Sequence, residues 1–331
     1  MKIHVLIFLM YAFSLAAEVK EVVIIGGGPA GYTAGLYSAR SGLSTLVIEG
    51  EEPGGQIALS VKVENFPGFP TGISGVDLGS NIKEQALQFG AKVVSETVKE
   101  ADLSARPFRL KLQSGKEVYA QSLIIATGSR TKWLGLPSEE ALLGSGVNSC
   151  AVCDGFLFKG KEVVVVGGGD TALEDALYLA KFATKVTVIH RRESLRASQV
   201  LQKRAFENPK IQFIYNNVVE EILDVTKGSV EGVILKNVIT GETALYSCHG
   251  VFIAIGHIPN TELFKNQLDL DEGGYIQVQP HSTITSISGV FAAADVADSH
   301  YRQAIVAAGT GSMAAIDAFH YLQQTQTKDN S

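Results

Sequence analysis

Cysteine is scarce in this sequence, at three in 331 residues, and tryptophan occurs once. Three cysteines cannot build the framework of a small disulfide-stapled domain. With no second CxxC and no closely spaced histidine pair, they cannot complete a four-ligand zinc site either, so no metal centre is expected. Positive charge is not in excess: the formal net charge is −6, which leaves no basic footprint for neutralising nucleic-acid phosphates. A long hydrophobic run is also missing. The apolar stretch Val5 to Phe13 is too short to span a bilayer comfortably, so no stable membrane anchor is expected.

Glycine is plentiful, at 34 residues, and 46% of the chain is apolar. A chain of this length and composition can bury a large core and divides more comfortably into two domains than one. The opening "MKIHVLIFLMYAFSLAAE" carries Lys2, the apolar run, and Ser14 and Ala16 at plausible −3 and −1 positions before Ala17. Residues 1–17 are a candidate signal peptide; the alternatives are a plain extension, or a start at Met10.

Next comes "EVVIIGGGPAGYTAGLYSARSGLSTLVIEG". The branched run Val22 to Ile25 suits a buried parallel strand, and Gly26, Gly28 and Gly31 follow in G-x-G-x-x-G spacing. Gly26 permits a tight turn and Gly28 lets a pyrophosphate approach the backbone. Gly31 lets the following helix pack closely, its N-terminus toward the phosphates. Glu49 closes the next strand and is placed to accept hydrogen bonds from ribose hydroxyls.

The pattern recurs in "KEVVVVGGGDTALEDALYLAKFATKVTVIHRRESLRAS". A strand at Val163 to Val166 leads into Gly167, Gly169 and Ala172, then a helix and a strand ending at Ile189. Two dinucleotide sites are therefore implied. Where the first copy has its acid, the second has His190, Arg191 and Arg192, with Arg196 close behind. Guanidinium groups accept a 2′-phosphate that an acid would repel, so this site should prefer NADPH. FAD is then the expected hydride acceptor at the first site. Near the C-terminus a short strand, Val290 to Ala292, precedes Asp295 and a long small-residue helix starting near Arg302. That helix N-terminus would favour an anionic reduced flavin, with Asp295 free to bond the ribityl chain. "CAVCDG", Cys150 to Gly155, holds two of the three cysteines. With the metal excluded, a redox dithiol is the favoured reading.

From Val19 to about Leu322 the chain closely resembles the low-molecular-weight thioredoxin reductases, class II pyridine nucleotide-disulfide oxidoreductases. The resemblance rests on "GGGPAGYTAGLY", "PGGQ", "ENFPGFP", "ATGSR", "CAVCDG", "GGGDTALEDA", "HRRESLRAS", "AIGHIPNT" and "YRQAIVAAGTGSMAA". It implies an α/β fold of two Rossmann-like three-layer domains, with an NADPH domain inserted into a discontinuous FAD domain. The FAD domain would take residues 18–129 and 259–325 and the NADPH domain 130–258, with a tail at 326–331. Crossings would fall near Ser129 to Trp133 and Gly256 to Thr261. Carried onto the matching motifs, the cofactor-binding set gains Pro29, Ala30, Gly55, Gln56, Asn65, Ala126, Thr127, Gly128, Arg302, Gln303 and Ala304. On the NADPH side it gains Asp170, Thr171, Ile255 and Gly256.

The resemblance further implies that Cys153 faces the flavin and Cys150 attacks the substrate disulfide, while Asp154 serves as proton donor and acceptor. The expected activity is thioredoxin-disulfide reduction: NADPH to FAD to the Cys150/Cys153 disulfide to a thioredoxin or thioredoxin-like protein. It would serve redox homeostasis and removal of reactive oxygen species, and the enzyme would be a homodimer. Because nicotinamide and dithiol belong to one domain yet must reach one flavin, a hinge rotation about the crossings is expected. One residue departs from the family pattern. Ala294 stands before Asp295 where relatives usually read Gly-Asp, which would weaken or shift FAD binding if the backbone there takes a positive φ.

Three rival readings remain. An FAD-dependent dithiol oxidase using oxygen would need no NADPH, and the arginines at 191, 192 and 196 count against it. A hydroperoxide-reductase flavoprotein would carry an additional N-terminal thiol-disulfide domain. A nucleotide-sensing scaffold would transfer no electrons. Location is drawn two ways: NADPH and dithiol chemistry favour the cytoplasm, residues 1–17 favour export. Cys248 is expected to be a buried, inert thiol, His257 a junction residue, and Trp133 a packing residue at the first crossing.

Overall fold

The computed structural model describes residues 18–329, so the candidate signal segment 1–17 lies outside it. The chain opens with β1 (Val19–Ile25), α1 (Pro29–Arg40), β2 (Thr45–Ile48), α2 (Gly75–Gln88) and β3 (Lys92–Val94). A meander of β4 (Val98–Asp102), β5 (Phe108–Leu112) and β6 (Glu117–Ile125) follows. These strands form one sheet in the order β3-β2-β1-β6-β5-β4. Its β3-β2-β1-β6 part is parallel, whereas β4 and β5 run antiparallel.

Both faces of β1, β2 and the end of β6 are buried, which explains why these strands read as apolar runs, whereas β5 alternates. Val22, Ile24, Val47 and Ile124 face a cluster that includes Ala30, Ala34, Leu78 and Ala314 from the helices. Their neighbours Val23, Ile25, Leu46, Ile48, Leu123 and Ile125 face Phe108, Leu110, Leu112 and Phe264.

Beyond β6 the chain enters a short strand, β7 (Ser129–Thr131), and then a second α/β unit. This unit comprises α3 (Pro137–Ala141), β8 (Val147–Asn148), α4 (Ala151–Asp154), β9 (Glu162–Gly167), α5 (Asp170–Leu179), β10 (Lys185–His190), α6 (Gln199–Phe206) and β11 (Ile211–Tyr215). An antiparallel ribbon follows, β12 (Asn217–Leu223), β13 (Gly232–Asn237) and β14 (Thr243–Ser247), and then β15 (Val251–Ala254). The second sheet is wholly parallel, in the order β11-β10-β9-β15-β8. Val163 and Val165 pack toward α5, and Val164 and Val166 toward the β12–β14 ribbon. Cys248 is buried in that second cluster and its thiol is pushed up to about 12 by burial. Trp133 packs against the same cluster.

The return strand β16 (His257–Pro259) pairs antiparallel with β7, so the outgoing and incoming crossings form one two-stranded ribbon. Asn260 ties it to the first unit, donating to the Thr127 carbonyl and accepting from the Thr127 hydroxyl at 2.8 Å each. Finally β17 (Val290–Ala292) adds in parallel to β6, and α7 (Ala304–Asp329) packs along α1. This helix begins two residues after Arg302 and continues through residues 326–329, where the sequence leads one to expect a tail. Among the described residues no helix is long and apolar enough to cross a membrane.

Candidate active site

Two glycine loops close the parallel strands in the same way. At the first, Gly26 takes φ +125° and a Cβ there would overlap the Ala126 carbonyl; a Cβ on Gly31 would overlap the Gly26 carbonyl. These two positions must be bare for α1 to reach its strand. Gly28 differs, because a Cβ there would meet nothing nearer than the Gly54 carbonyl at 3.9 Å. It caps α1 without a side-chain hydrogen bond, leaving the first N–H groups of the helix free. The "PGGQ" segment is tied to this loop by a 2.9 Å bond from Gly54 N–H to the Gly27 carbonyl. Gly169 repeats the arrangement at α5, with no side-chain cap and nothing within 4 Å of a would-be Cβ. Both cradles fit a bound diphosphate.

A cavity of about 1010 Å³ gathers most of the first set of expected residues. Gly26, Gly28, Pro29, Ala30, Glu49, Gly55, Gln56, Asn65, Ala126, Thr127, Gly128, Asp295, Arg302, Gln303 and Ala304 line it, together with Cys150, Cys153 and Asp154. Gly31 lies beneath the loop rather than on the wall. Of the second set only Thr171 reaches this cavity; Gly167, Gly169, Asp170, His190, Arg191, Arg192, Arg196, Ile255 and Gly256 stand apart from it. The disulfide therefore faces the first nucleotide loop and not the second.

Cys150 and Cys153 are joined by a disulfide, with Cα atoms 5.3 Å apart. Cys150 caps the four-residue α4, its Sγ accepting the Cys153 N–H at 3.1 Å. From the other unit, Gln303 Nε2 comes within 3.9 Å of the same sulfur, while its Oε1 accepts from Asn65 at 3.4 Å. Asp154 follows directly, and burial pushes its carboxyl up to about 6. Burial likewise raises Asp295 to about 6, with Asp298 adding to the effect. His257 is pushed down to about 4 by burial, helped by Arg302 and Lys132, and its neutral Nδ1 accepts from Arg302 at 2.6 Å.

Two of the residues expected at the cofactors are also tied into the protein itself. Glu49 does not offer a free carboxylate: its side chain is fully buried and accepts from Tyr32 at 2.6 Å, from Lys83 at 2.8 Å and from Ser95. Burial opposes its charge, but these donors, Lys83 first, hold it below the usual carboxylate range. It anchors α1, α2 and the end of β3 to β2, and Glu49 also lines the cavity at the first glycine loop. His190, the last residue of β10, points inward beneath Gly168, where a Cβ would overlap its ring, and its Nε2 lies 3.0 Å from the Ser194 carbonyl. Burial lowers its pKa, so a neutral imidazole supports the loop.

Arg191, Arg192 and Arg196 remain exposed, with no carboxylate partner among the described residues. Arg196 N–H binds the Gly168 carbonyl at 2.7 Å, which fixes the arginine segment to the second glycine loop. Asp170 accepts the Ser198 N–H at 2.7 Å, tying α5 to the start of α6. Sequence reasoning missed Asp175, which reaches the cavity from α5; burial, tempered by Arg302, pushes it up to about 7. Nothing in its spacing separated it from an ordinary solvent-facing acid.

Comparison with known proteins agrees with this geometry. The family model described as pyridine nucleotide-disulphide oxidoreductase matches residues 20–311. A thioredoxin reductase of Rickettsia prowazekii is 50% identical over 92% of this chain and 98% of its own. The solved thioredoxin reductase of Giardia duodenalis superposes with a TM-score of 0.88 at 43% identity, over 92% of this chain and 99% of its own. That of Lactococcus lactis, titled as the FR conformation, covers the same shares at 39% identity but with a TM-score of 0.62. The chain belongs to the pyridine nucleotide-disulphide oxidoreductases, among the low-molecular-weight thioredoxin reductases.

Proposed function

We propose that this chain is an NADPH-dependent thioredoxin-disulfide reductase that works through FAD and the Cys150–Cys153 disulfide. The observation that carries the reading is the disulfide on the wall of the cavity lined by the first glycine loop, with a protonatable Asp154 beside it. When bound there, FAD would carry the two electrons of NADPH to the disulfide. The first loop, Asp295 and the start of α7 would hold it, while Gly169, Arg191, Arg192 and Arg196 would hold NADPH at the second loop.

The protein's own steps follow from the side chains. The sulfur–sulfur bond takes up two electrons and two protons, and Asp154 can supply one proton at the adjacent sulfur. The Cys150 thiolate then attacks the substrate disulfide and expels one substrate thiolate; Cys153 attacks the mixed disulfide, closes the ring and releases the second. Val152, Phe156 and Leu157, all more than half exposed around Cys153, offer an apolar face for the incoming thioredoxin. Apart from Thr171, none of the residues expected at the second loop lines the cavity, so bringing that loop to the flavin calls for rotation about the β7–β16 ribbon. Supporting this, the two solved relatives differ in TM-score, 0.88 against 0.62, at similar identity and equal coverage, as a changed placement of two similar halves would produce.

Anaerobic titration of the purified protein with NADPH tests the reading. Flavin bleaching should be accompanied by two new thiols, both lost in Cys150→Ser. Bleaching with no new thiols in the parent would overturn it.

A further inference from the structure

Five described residues other than glycine take a left-handed backbone: Asn216, Asn266, His281, Ala294 and Arg302. Asparagine and histidine tolerate this conformation through local polar contacts, and Arg302 is held by its bond to His257. Ala294, at φ +67°, has no polar side-chain atom to offset the strain.

Its conformation is imposed from every side. The preceding Ala293 N–H is taken by the Ile125 carbonyl at 2.9 Å, and the Ala294 N–H by the Thr310 hydroxyl at 3.0 Å. The Ala294 carbonyl accepts from both Ala297 and Asp298 at 2.9 Å. No partner can be given up without loosening β17 or α7. Ala294 also lines the cavity directly before Asp295, the same cavity that Gly28 of the first glycine loop lines.

We propose that Ala294 is a retention-setting residue of the flavin cradle: its left-handed backbone costs the fold stability, and as a wall residue directly before Asp295 it carries a methyl that glycine would not, so this chain holds FAD less tightly than glycine there would allow. The proposal rests on the flavoprotein reading above. It assigns the weakness to one methyl group, and it makes cofactor retention adjustable without touching a residue that handles electrons or protons.

The test compares Ala294→Gly with Ala293→Gly in the full chain, by thermal unfolding before and after deflavination and by fluorescence titration with FAD. Ala293 is the matched control, equally enclosed but extended at φ −139°. Removing its Cβ frees the unfolded chain and loses a buried methyl, so Ala293→Gly should lower the unfolding midpoint. Ala294→Gly should raise it by about 2 °C, the size expected for releasing one left-handed alanine, and tighten FAD binding about fivefold, the size of relieving one crowded methyl. A midpoint that falls in both variants would overturn the proposal, as would a raised midpoint with unchanged FAD affinity. A parent chain that takes up no FAD would instead fell the flavoprotein reading, while the contrast between the two variants would still report the strain.

Discussion

Asp154 illustrates how little burial is needed to change the chemistry of one carboxyl. Pushed up to about 6, it is protonated over a range in which an exposed aspartate is already ionised. As the proton donor its activity should fall as pH rises through about 6. Asp154→Asn should cut dithiol turnover about a hundredfold and erase that limb of the profile, while rapid-mixing absorbance shows flavin reduction largely intact. The same shifts act on stability. Asp154 and Asp295 both have folded values raised above the unfolded one, so the native state binds more protons between about pH 4 and 6. Their contribution is present below pH 4 and is lost as pH rises through 6. Deflavinated protein should therefore show a smaller loss of stability between pH 4 and 6 when Asp295 is replaced by Asn, measured by urea unfolding at each pH.

At the scale of elements, the sequence was legible wherever chemistry depends on spacing along the chain. The strand, glycine loop and helix of each nucleotide unit stand where the G-x-G-x-x-G and G-x-G-x-x-A patterns put them, because Gly26 and Gly167 must clear the Ala126 and Ala254 carbonyls at the ends of the neighbouring strands and Gly31 the Gly26 carbonyl. Which side of a strand end a residue faces is less legible. Glu49 and His190 stand at the ends of equivalent strands, and both side chains are tied into the protein, one by Lys83 and Ser95 and the other in the room left by Gly168. Asp175 was missed because only the packing of α5 against α4 brings it to the disulfide wall.

Two outcomes follow at this scale. Gly31→Ala, whose Cβ has no space against the Gly26 carbonyl, should push α1 from the sheet and cost several kcal/mol, read as a large fall in the urea midpoint. The double variant Arg191→Ala with Arg192→Ala should raise KM for NADPH at least tenfold with little change for NADH, since both side chains are exposed and free to take a 2′-phosphate.

For the whole molecule, the two crossings form a single ribbon, and rotation about it is the motion the proposed cycle requires. Val61 and the Gly144–Ser145 turn face each other across the two units, with a Cβ on Gly144 falling 3.4 Å from Val61. A short bismaleimide joining Val61→Cys to Ser145→Cys should hold the disulfide against the cavity. Steady-state turnover should then drop at least tenfold and recover when a cleavable linker is cut.

The central claim is that electrons from NADPH leave through Cys150 and Cys153 to a protein disulfide. Its most direct test is NADPH-dependent reduction of a thioredoxin by the purified protein, beside Cys150→Ser and Cys153→Ser, with oxygen consumption followed in the same cuvette. Turnover that needs both cysteines and consumes little oxygen is the predicted result. Oxygen use driven by dithiols without NADPH, or thioredoxin reduction that survives loss of either cysteine, would contradict it.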